Sequence, residues 1–221
     1  DIKYAKEKNI YVCNVPDYGV DEVSDTALAM ILNISRGISR YDYLSHDFYD
    51  TWQENTIETI KRTCEYHLGI IGAGRIGSSL LLKANALRFD TSFYDPYLPS
   101  GQEKVLGSKR VETMNELLTT SDILSINCPL NDETKGMIDE SFIKKMKKGS
   151  SLVNTARGGI IKDIDIIYHF LKNGHLSSVA FDVLPFEPPK DCLLLNAWRN
   201  KEKWLEGRLI INPHKAYYCG T

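Results

Sequence analysis

The sequence predicts a doubly wound α/β fold, a mostly parallel sheet covered by helices on both faces, and three observations carry that expectation. Short β-type runs alternate with helical segments from residue 68 onward, a glycine-rich turn (GAGRIG) joins the first of these strands to its helix, and an acidic residue, Asp95, ends the next strand. Ahead of that alternation, residues 10–15 (IYVCNV) read as a β-type run stopped by Pro16. Residues 21–39 then carry Val23, Ala27, Met30, Ile31 and Ile34 at a helical period, with Asp21 or Ser24 as the cap. Residues 41–65 are polar and aromatic with weak periodicity, which predicts a loop containing a short helix. Strands are expected over 68–71, 91–94, 122–127, 151–154, 178–183 and 209–212, and helices over 75–87, 114–118, 141–147 and 164–173, the last closed by Gly174. Strands separated by helices of this length return to the sheet in parallel, because a parallel pair needs a crossover connection.

The chain has 221 residues, 43% of them hydrophobic, enough for one substantial core or two modest ones, and it shows no internal repeat or low-complexity tract. Its 27 basic residues against 29 acidic ones leave a formal net charge of -2, so no global positive field exists to hold a phosphate backbone and direct nucleic-acid binding is not expected. No apolar run approaches the ~20 residues of a membrane helix, and no leader pattern opens the chain, so no membrane association is expected. The five cysteines, at 13, 64, 128, 192 and 219, are odd in number, widely spaced and without a CxxC pair. That pattern speaks against a disulfide framework or a zinc knuckle, and for packing roles in a reducing, cytoplasmic setting with no metal site. Asp1 rather than a methionine opens the chain, which leaves room for an upstream segment.

In Gly72-Ala73-Gly74-Arg75-Ile76-Gly77 the glycines play three separate steric roles. The first makes the turn, the second admits a diphosphate, and the third lets helix and strand pack closely. Amide groups at the start of the helix opened by Arg75 and Ile76 would point at the diphosphate, aided by the partial positive charge of that helix end. A carboxylate at Asp95 accepts hydrogen bonds from both ribose hydroxyls and repels a 2'-phosphate, which favours NAD over NADP. Taken alone the glycines also fit a plain tight turn; the strand before them, the helix after them and Asp95 favour a dinucleotide.

Three later segments end on chemically telling side chains: Arg157 in NTARGG, Glu187 in FDVLPFEPP and His214 in NPHKAYY. Each lies just beyond an expected strand, and in a parallel sheet those strand ends gather on one edge. An arginine offers a bidentate fork for a carboxylate, a histidine exchanges a proton near neutral pH, and a glutamate on its other ring nitrogen sets the tautomer and favours the imidazolium. Beside a nicotinamide such a histidine can protonate the carbonyl oxygen of a 2-oxo acid as hydride arrives at carbon, or take the hydroxyl proton in reverse. His46, His67, His169 and His175 belong to no such motif, and Lys144, Lys145, Lys147 and Lys148 read as solvated surface at a helix end.

These motifs resemble the D-isomer-specific 2-hydroxyacid dehydrogenase family, over essentially the whole chain. VCNVPDYGVDEVSDTALAMIL is similar to the family's crossing segment and long helix, GIIGAGRIG to its nucleotide loop, FYDPY to its ribose acid, and NTARGG, FDVLPFEPP and NPHKAYY to its arginine, glutamate and histidine signatures. FYDPYLPSG and WLEGRLIINPHKAYY lean toward the branch of the C-terminal-binding proteins. The resemblance implies a Rossmann-type NAD-binding domain over 19–221 and, over 1–18, the remnant of a second, flavodoxin-like substrate domain. It implies NAD as cofactor, Arg157 on the substrate carboxylate and carbonyl, Glu187 orienting and charging His214, and His214 as the acid/base. It places Asp182 on the nicotinamide carboxamide, Gly72, Gly74, Arg75, Ile76, Gly77, Asp95, Cys128, Pro129, Thr134, Thr155 and Ala156 along the cofactor, and Thr26 near it from the long helix. It also implies a homodimer through the helix over 21–40.

The expected reaction is hydride transfer between nicotinamide and a small D-2-hydroxy or 2-oxo acid; the alternative is an NAD(H)-sensing interaction protein similar to the C-terminal-binding corepressors. Formate dehydrogenation fits less well, because that subgroup resembles the family with glutamine where Glu187 stands. The family's substrate lobe before these residues and its helix after the histidine motif are absent from the chain, which predicts cofactor binding with little turnover. Lys215 departs from the small or apolar residue usual beside the histidine. It can disfavour the imidazolium by like-charge repulsion, reach a second anionic group of the substrate, or face solvent.

Overall fold

The computed structural model describes residues 2–48, 52, 57 and 60–220. Its strands are β1 (His67–Ile71), β2 (Asp90–Tyr94), β3 (Lys109–Arg110), β4 (Ile123–Ile126), β5 (Ser150–Asn154), β6 (Leu176–Phe181) and β7 (Leu209–Ile211). All pair in parallel in one sheet of order β3-β2-β1-β4-β5-β6-β7. The order runs outward in opposite directions from β1 and β4. Connections leaving these two strands therefore diverge to opposite faces and open a crevice beyond their carboxyl ends.

Helices cover both faces. They are α1 (Ile2–Glu7), α2 (Val20–Arg36), α3 (Ile38–Ser45), α4 (Arg75–Ala86), α5 (Gln102–Leu106), α6 (Met114–Thr120), α7 (Glu140–Lys145), α8 (Ile164–Lys172) and α9 (Leu193–Arg199). Alternation along the strands splits the core in two. Leu68, Ile70, Phe93, Ile123, Val153 and Ala180 point to the face of α2, α4 and α5, where Ala27, Ile31, Leu80, Leu81 and Leu106 meet them. Ile71, Leu124, Ile126, Leu152, Val179 and Phe181 point to the other, against Leu117 of α6, Ile143 of α7, Ile167 and Leu171 of α8 and Leu194 of α9. Burial on both faces explains why these strands read as continuous apolar runs.

The strands and helices expected from 68 to 212 are all present, with ends that shift by no more than two residues. The N-terminal expectations differ. Residues 10–15 form no strand: Tyr11 is 97% exposed, Val12 and Val15 are exposed as well, and among the described residues no neighbouring strand takes up their ladder bonds. The long helix starts at Val20 and stops at Arg36, because Gly37 adopts a left-handed φ of 63° and its amide returns to Asn33 O and Ile34 O. Its N-cap is Gly19. Asp21 and Ser24 lie inside the first turns, where Asp21 complements the helix dipole and Ser24 is buried against Ser79, their hydroxyls 3.0 Å apart. The short helix expected within 41–65 begins earlier, as α3; residues 49–51, 53–56 and 58–59 of that expectation lie outside the described residues. Helices α1, α5 and α9 and strand β3 have no counterpart in the sequence pattern.

Phe93 is fully buried, whereas Tyr11 touches little. Phe93→Ala is expected to lower unfolding free energy by about 3–5 kcal/mol, and Tyr11→Ser to change it by less than about 0.5 kcal/mol, as measured by urea denaturation.

Candidate active site

The crevice is built from backbone in contact. Gly72, which follows β1 with a φ of 86°, would place a Cβ 2.7 Å from the amide nitrogen of Cys128, so the turn after β1 presses directly on the loop after β4. A Cβ on Gly77 would lie 2.0 Å from Gly72 O, which seats α4 on that same turn. Gly74 is the reverse case: nothing stands within 4 Å of its Cβ position, and an open cradle lies at the start of α4. The first-turn amides, including those of Arg75 and Ile76, have no helical acceptor of their own and are the donors such a cradle offers to a diphosphate. The Arg75 side chain projects outward and pairs through Nε with Asp17 Oδ1 at 2.8 Å.

Asp95 forms the lip. Its Oδ2 accepts from the Ala73 amide and its Oδ1 from the Tyr97 amide, each at 2.9 Å, and each oxygen keeps lone-pair capacity for a hydroxyl. Arg110 holds the loop from behind, donating through Nη2 to Asp95 O and through Nη1 to Leu98 O, both at 2.9 Å. Sequence reasoning missed Arg110 because β3, which carries it, is two residues long and has no periodicity to detect.

The facing wall follows β4. Burial pushes the Cys128 thiol up to about 11, which keeps it protonated and makes it a packing group. Thr134 donates through Oγ1 to Pro129 O at 2.6 Å and so closes the loop that begins at Cys128. That loop is laced to the one after β5 by Gly136 N to Gly159 O (2.9 Å) and Ile138 N to Ile160 O (3.0 Å). Ala156 is held by its amide on Asn154 Oδ1 at 3.0 Å. The Asn127 Oδ1 and Thr155 Oγ1 atoms are buried without a hydrogen-bond partner among the described residues. Both stand at strand ends on the crevice, where a polar ligand would satisfy them. Thr26 reaches the loop after β7, its Oγ1 3.5 Å from Ala216 O.

The arginine, glutamate and histidine segments interlock. A Cβ on Gly158 would lie 1.9 Å from Leu184 O, so the backbone beside Arg157 abuts the loop that carries Glu187. Leu184 N donates to Glu187 Oε1 at 2.9 Å, and Glu187 Oε2 lies 2.6 Å from His214 Nδ1. That contact leaves the Nε2 atom of His214 for a ligand. The two side chains are 40% and 37% exposed, open to solvent. The Arg157 guanidinium is exposed as well, with Nη1 donating to Ala156 O at 2.7 Å. Asp182, only 2% exposed, shapes the histidine loop: its Oδ1 accepts from Asn212 Nδ2 (2.5 Å), Lys215 N (2.9 Å) and Ala216 N (3.1 Å), while its carbonyl accepts from His214 N (2.8 Å). His214 is thereby held at a left-handed φ of 53°. Tyr217 meets its ring edge-on at 6.1 Å, and the Lys215 ammonium lies 5.9 Å from the Tyr217 ring centre and 5.4 Å from that of Tyr218.

A family model described as the NAD binding domain of D-isomer specific 2-hydroxyacid dehydrogenases matches residues 28–216. The chain belongs to that family. Its cofactor is NAD, and the open cradle at Gly74, the anchored Asp95 carboxylate and the orphaned Thr155 hydroxyl fit such a group. Among relatives of this family member, C-terminal-binding protein 1 of Caenorhabditis elegans is 36% identical over 204 residues, covering 87% of this chain and 27% of the relative. D-3-phosphoglycerate dehydrogenase of Methanocaldococcus jannaschii is 35% identical over 196 residues, covering 88% of this chain and 36% of the relative. The chain thus spans roughly a third of the length of these curated relatives. The structure of Aquifex aeolicus D-lactate dehydrogenase complexed with NAD and lactic acid superposes with a TM-score of 0.82 at 30% identity, covering 100% of this chain and 67% of that one. Among the described residues no helix is long and apolar enough to cross a membrane, no group of histidine, cysteine or acidic side chains could hold a metal, and none of the five cysteines forms a disulfide.

The two glycines separate binding from folding. Gly74→Ala is expected to leave thermal stability unchanged and to weaken NADH binding by about tenfold or more, because the methyl group enters the open cradle. Gly77→Ala is expected to lower the melting temperature, because its methyl group has no room against Gly72 O. Thermal melts and NADH fluorescence titrations read the two effects.

Proposed function

We propose that the protein carrying this chain is an NAD-dependent oxidoreductase of small D-2-hydroxy acids and their 2-oxo counterparts. The observation that carries this reading is the 2.6 Å contact between His214 Nδ1 and Glu187 Oε2, on a loop that abuts the backbone beside Arg157. NAD supplies or accepts the hydride when bound. Arg157 binds the substrate carboxylate through its fork and polarises the carbonyl beside it. His214 Nε2 gives a proton to the carbonyl oxygen in reduction and takes it back in oxidation. Glu187 fixes the tautomer and the orientation of the ring, acting on substrate only through His214. Asp182 holds the histidine loop, and its less occupied oxygen, Oδ2, is the acceptor that would hold the nicotinamide carboxamide. Glu187, in place of a glutamine, speaks against formate as substrate.

Three further assignments accompany this reading. Residues 1–18 belong to a second, substrate-side unit: α1 buries none of its residues, and Ile2, Tyr4, Ile10 and Val15 are exposed. The protein is a homodimer through α2 and acts in a reducing compartment, the cytoplasm, which suits five cysteines that form no disulfide.

The similarity to C-terminal-binding protein 1 favours a second reading, an interaction protein whose partner contacts respond to NAD(H). Hydride transfer to a panel of 2-oxo acids separates the two. Under the first reading the protein oxidises NADH with some member of the panel, His214→Gln lowers kcat by ~10²–10⁴-fold with NADH affinity retained, and Glu187→Gln lowers it less. Tight NADH binding with no turnover on any 2-oxo acid would instead support the second reading.

A further inference from the structure

We propose that Tyr97 and Glu133 form a clasp across the adenosine end of the cleft, one that slows release of the dinucleotide. The proposal rests on the reading of the crevice as an NAD site. Tyr97 stands on the loop after β2, two residues beyond Asp95. The Asp95 carboxylate takes the Tyr97 amide on one oxygen and the Ala73 amide on the other, so the same group that faces the ribose also fixes the root of Tyr97. Glu133 stands on the opposite wall, in the loop after β4. There Asn131 Oδ1 accepts the amides of Glu133 and Thr134, each at 3.0 Å, and sets the turn that presents Glu133.

β2 and β4 flank β1 on either side, so any contact between their loops spans the strand that ends in the glycine turn. The Tyr97 hydroxyl makes that contact, donating to Glu133 Oε2. This hydrogen bond raises the phenol above its ordinary value, with burial and charge adding to it, so the hydroxyl stays a donor across the neutral range. Packing does not account for the pairing. Tyr97 is 72% exposed, Glu133 is exposed too, and joining two such side chains across open space adds little to folding while costing rotamer freedom. With a ribose on Asp95, whose Oδ1 holds the Tyr97 amide, the adenosine would lie toward the gap that the Tyr97–Glu133 bridge spans. The diphosphate at Gly74 and the nicotinamide near His214 lie on the other side of the glycine turn. The clasp therefore acts on the adenosine half alone.

The test compares Tyr97→Phe, Glu133→Ala and the double variant with the unmodified chain, following NADH release by stopped-flow fluorescence and the affinity for reduced nicotinamide mononucleotide, which lacks adenosine. Each single variant is expected to release NADH about 3- to 10-fold faster, as loss of one hydrogen bond allows. The double variant should match the singles, because both remove the same bond. Affinity for the mononucleotide and the melting temperature should not change. Unchanged release in the single variants, effects that multiply in the double variant, or equal weakening toward the mononucleotide would each overturn the clasp while leaving NAD binding intact. Failure of the unmodified chain to bind NADH would overturn the dinucleotide reading and the clasp with it.

Discussion

Close approach of backbone to backbone at the carboxyl edge of the sheet is the constraint on which the site depends. Gly72 touches the Cys128 amide, Gly77 the Gly72 carbonyl, and Gly158 the Leu184 carbonyl. No side chain longer than hydrogen fits at these points. The loops after β1, β4, β5 and β6 consequently form one joined rim, and side chains rooted in that rim inherit fixed relative positions. Preorganisation of this kind lets exposed groups such as Glu187 and His214 hold a 2.6 Å contact without burial.

Charge is then placed where the rim leaves it least free to move. Asp182 is buried and spends most of its acceptor capacity on the chain's own Asn212, Lys215 and Ala216, which bends the histidine loop into the left-handed conformation at His214. Asp95 does the same for the opposite lip, tying the glycine turn to the loop of Tyr97. In both cases a carboxylate organises local backbone and keeps some acceptor capacity in reserve. The two acids sit on opposite sides of the β1/β4 switch point, so one dinucleotide can meet both ends of this arrangement.

Much of this was legible from residue types. The strands of the buried sheet are short apolar runs, and their interruption by helical periods identified every strand except β3. Position-specific chemistry singled out the glycine turn and Arg157, Glu187 and His214 as candidates, of which the structure brings Glu187 to His214. Short or contact-dependent features were not legible: β3 has two residues, α5 and α9 have five and seven, and none carries enough period to stand out from loop. The run IYVCNV looked like a strand because its residues favour strands, yet strand formation needs a neighbour to take the ladder bonds, and among the described residues it has none. Gly37 was in plain view, but only its left-handed φ shows that it ends α2 there.

By itself the sequence determined the fold class, the parallel sense of the sheet, the dinucleotide turn with its acid, and the three side chains suited to proton and carboxylate chemistry. These follow from periodicity and from the fixed chemistry of residue types, which are local properties. Only the tertiary structure decided which loops touch: that Arg110 braces Asp95, that Asp182 shapes the histidine loop, that Thr155 keeps a buried hydroxyl unpaired among the described residues, and that Tyr97 reaches Glu133. Those pairings join residues distant in the chain through the strand order, and strand order is set by packing both faces of the sheet at once, which no local pattern encodes.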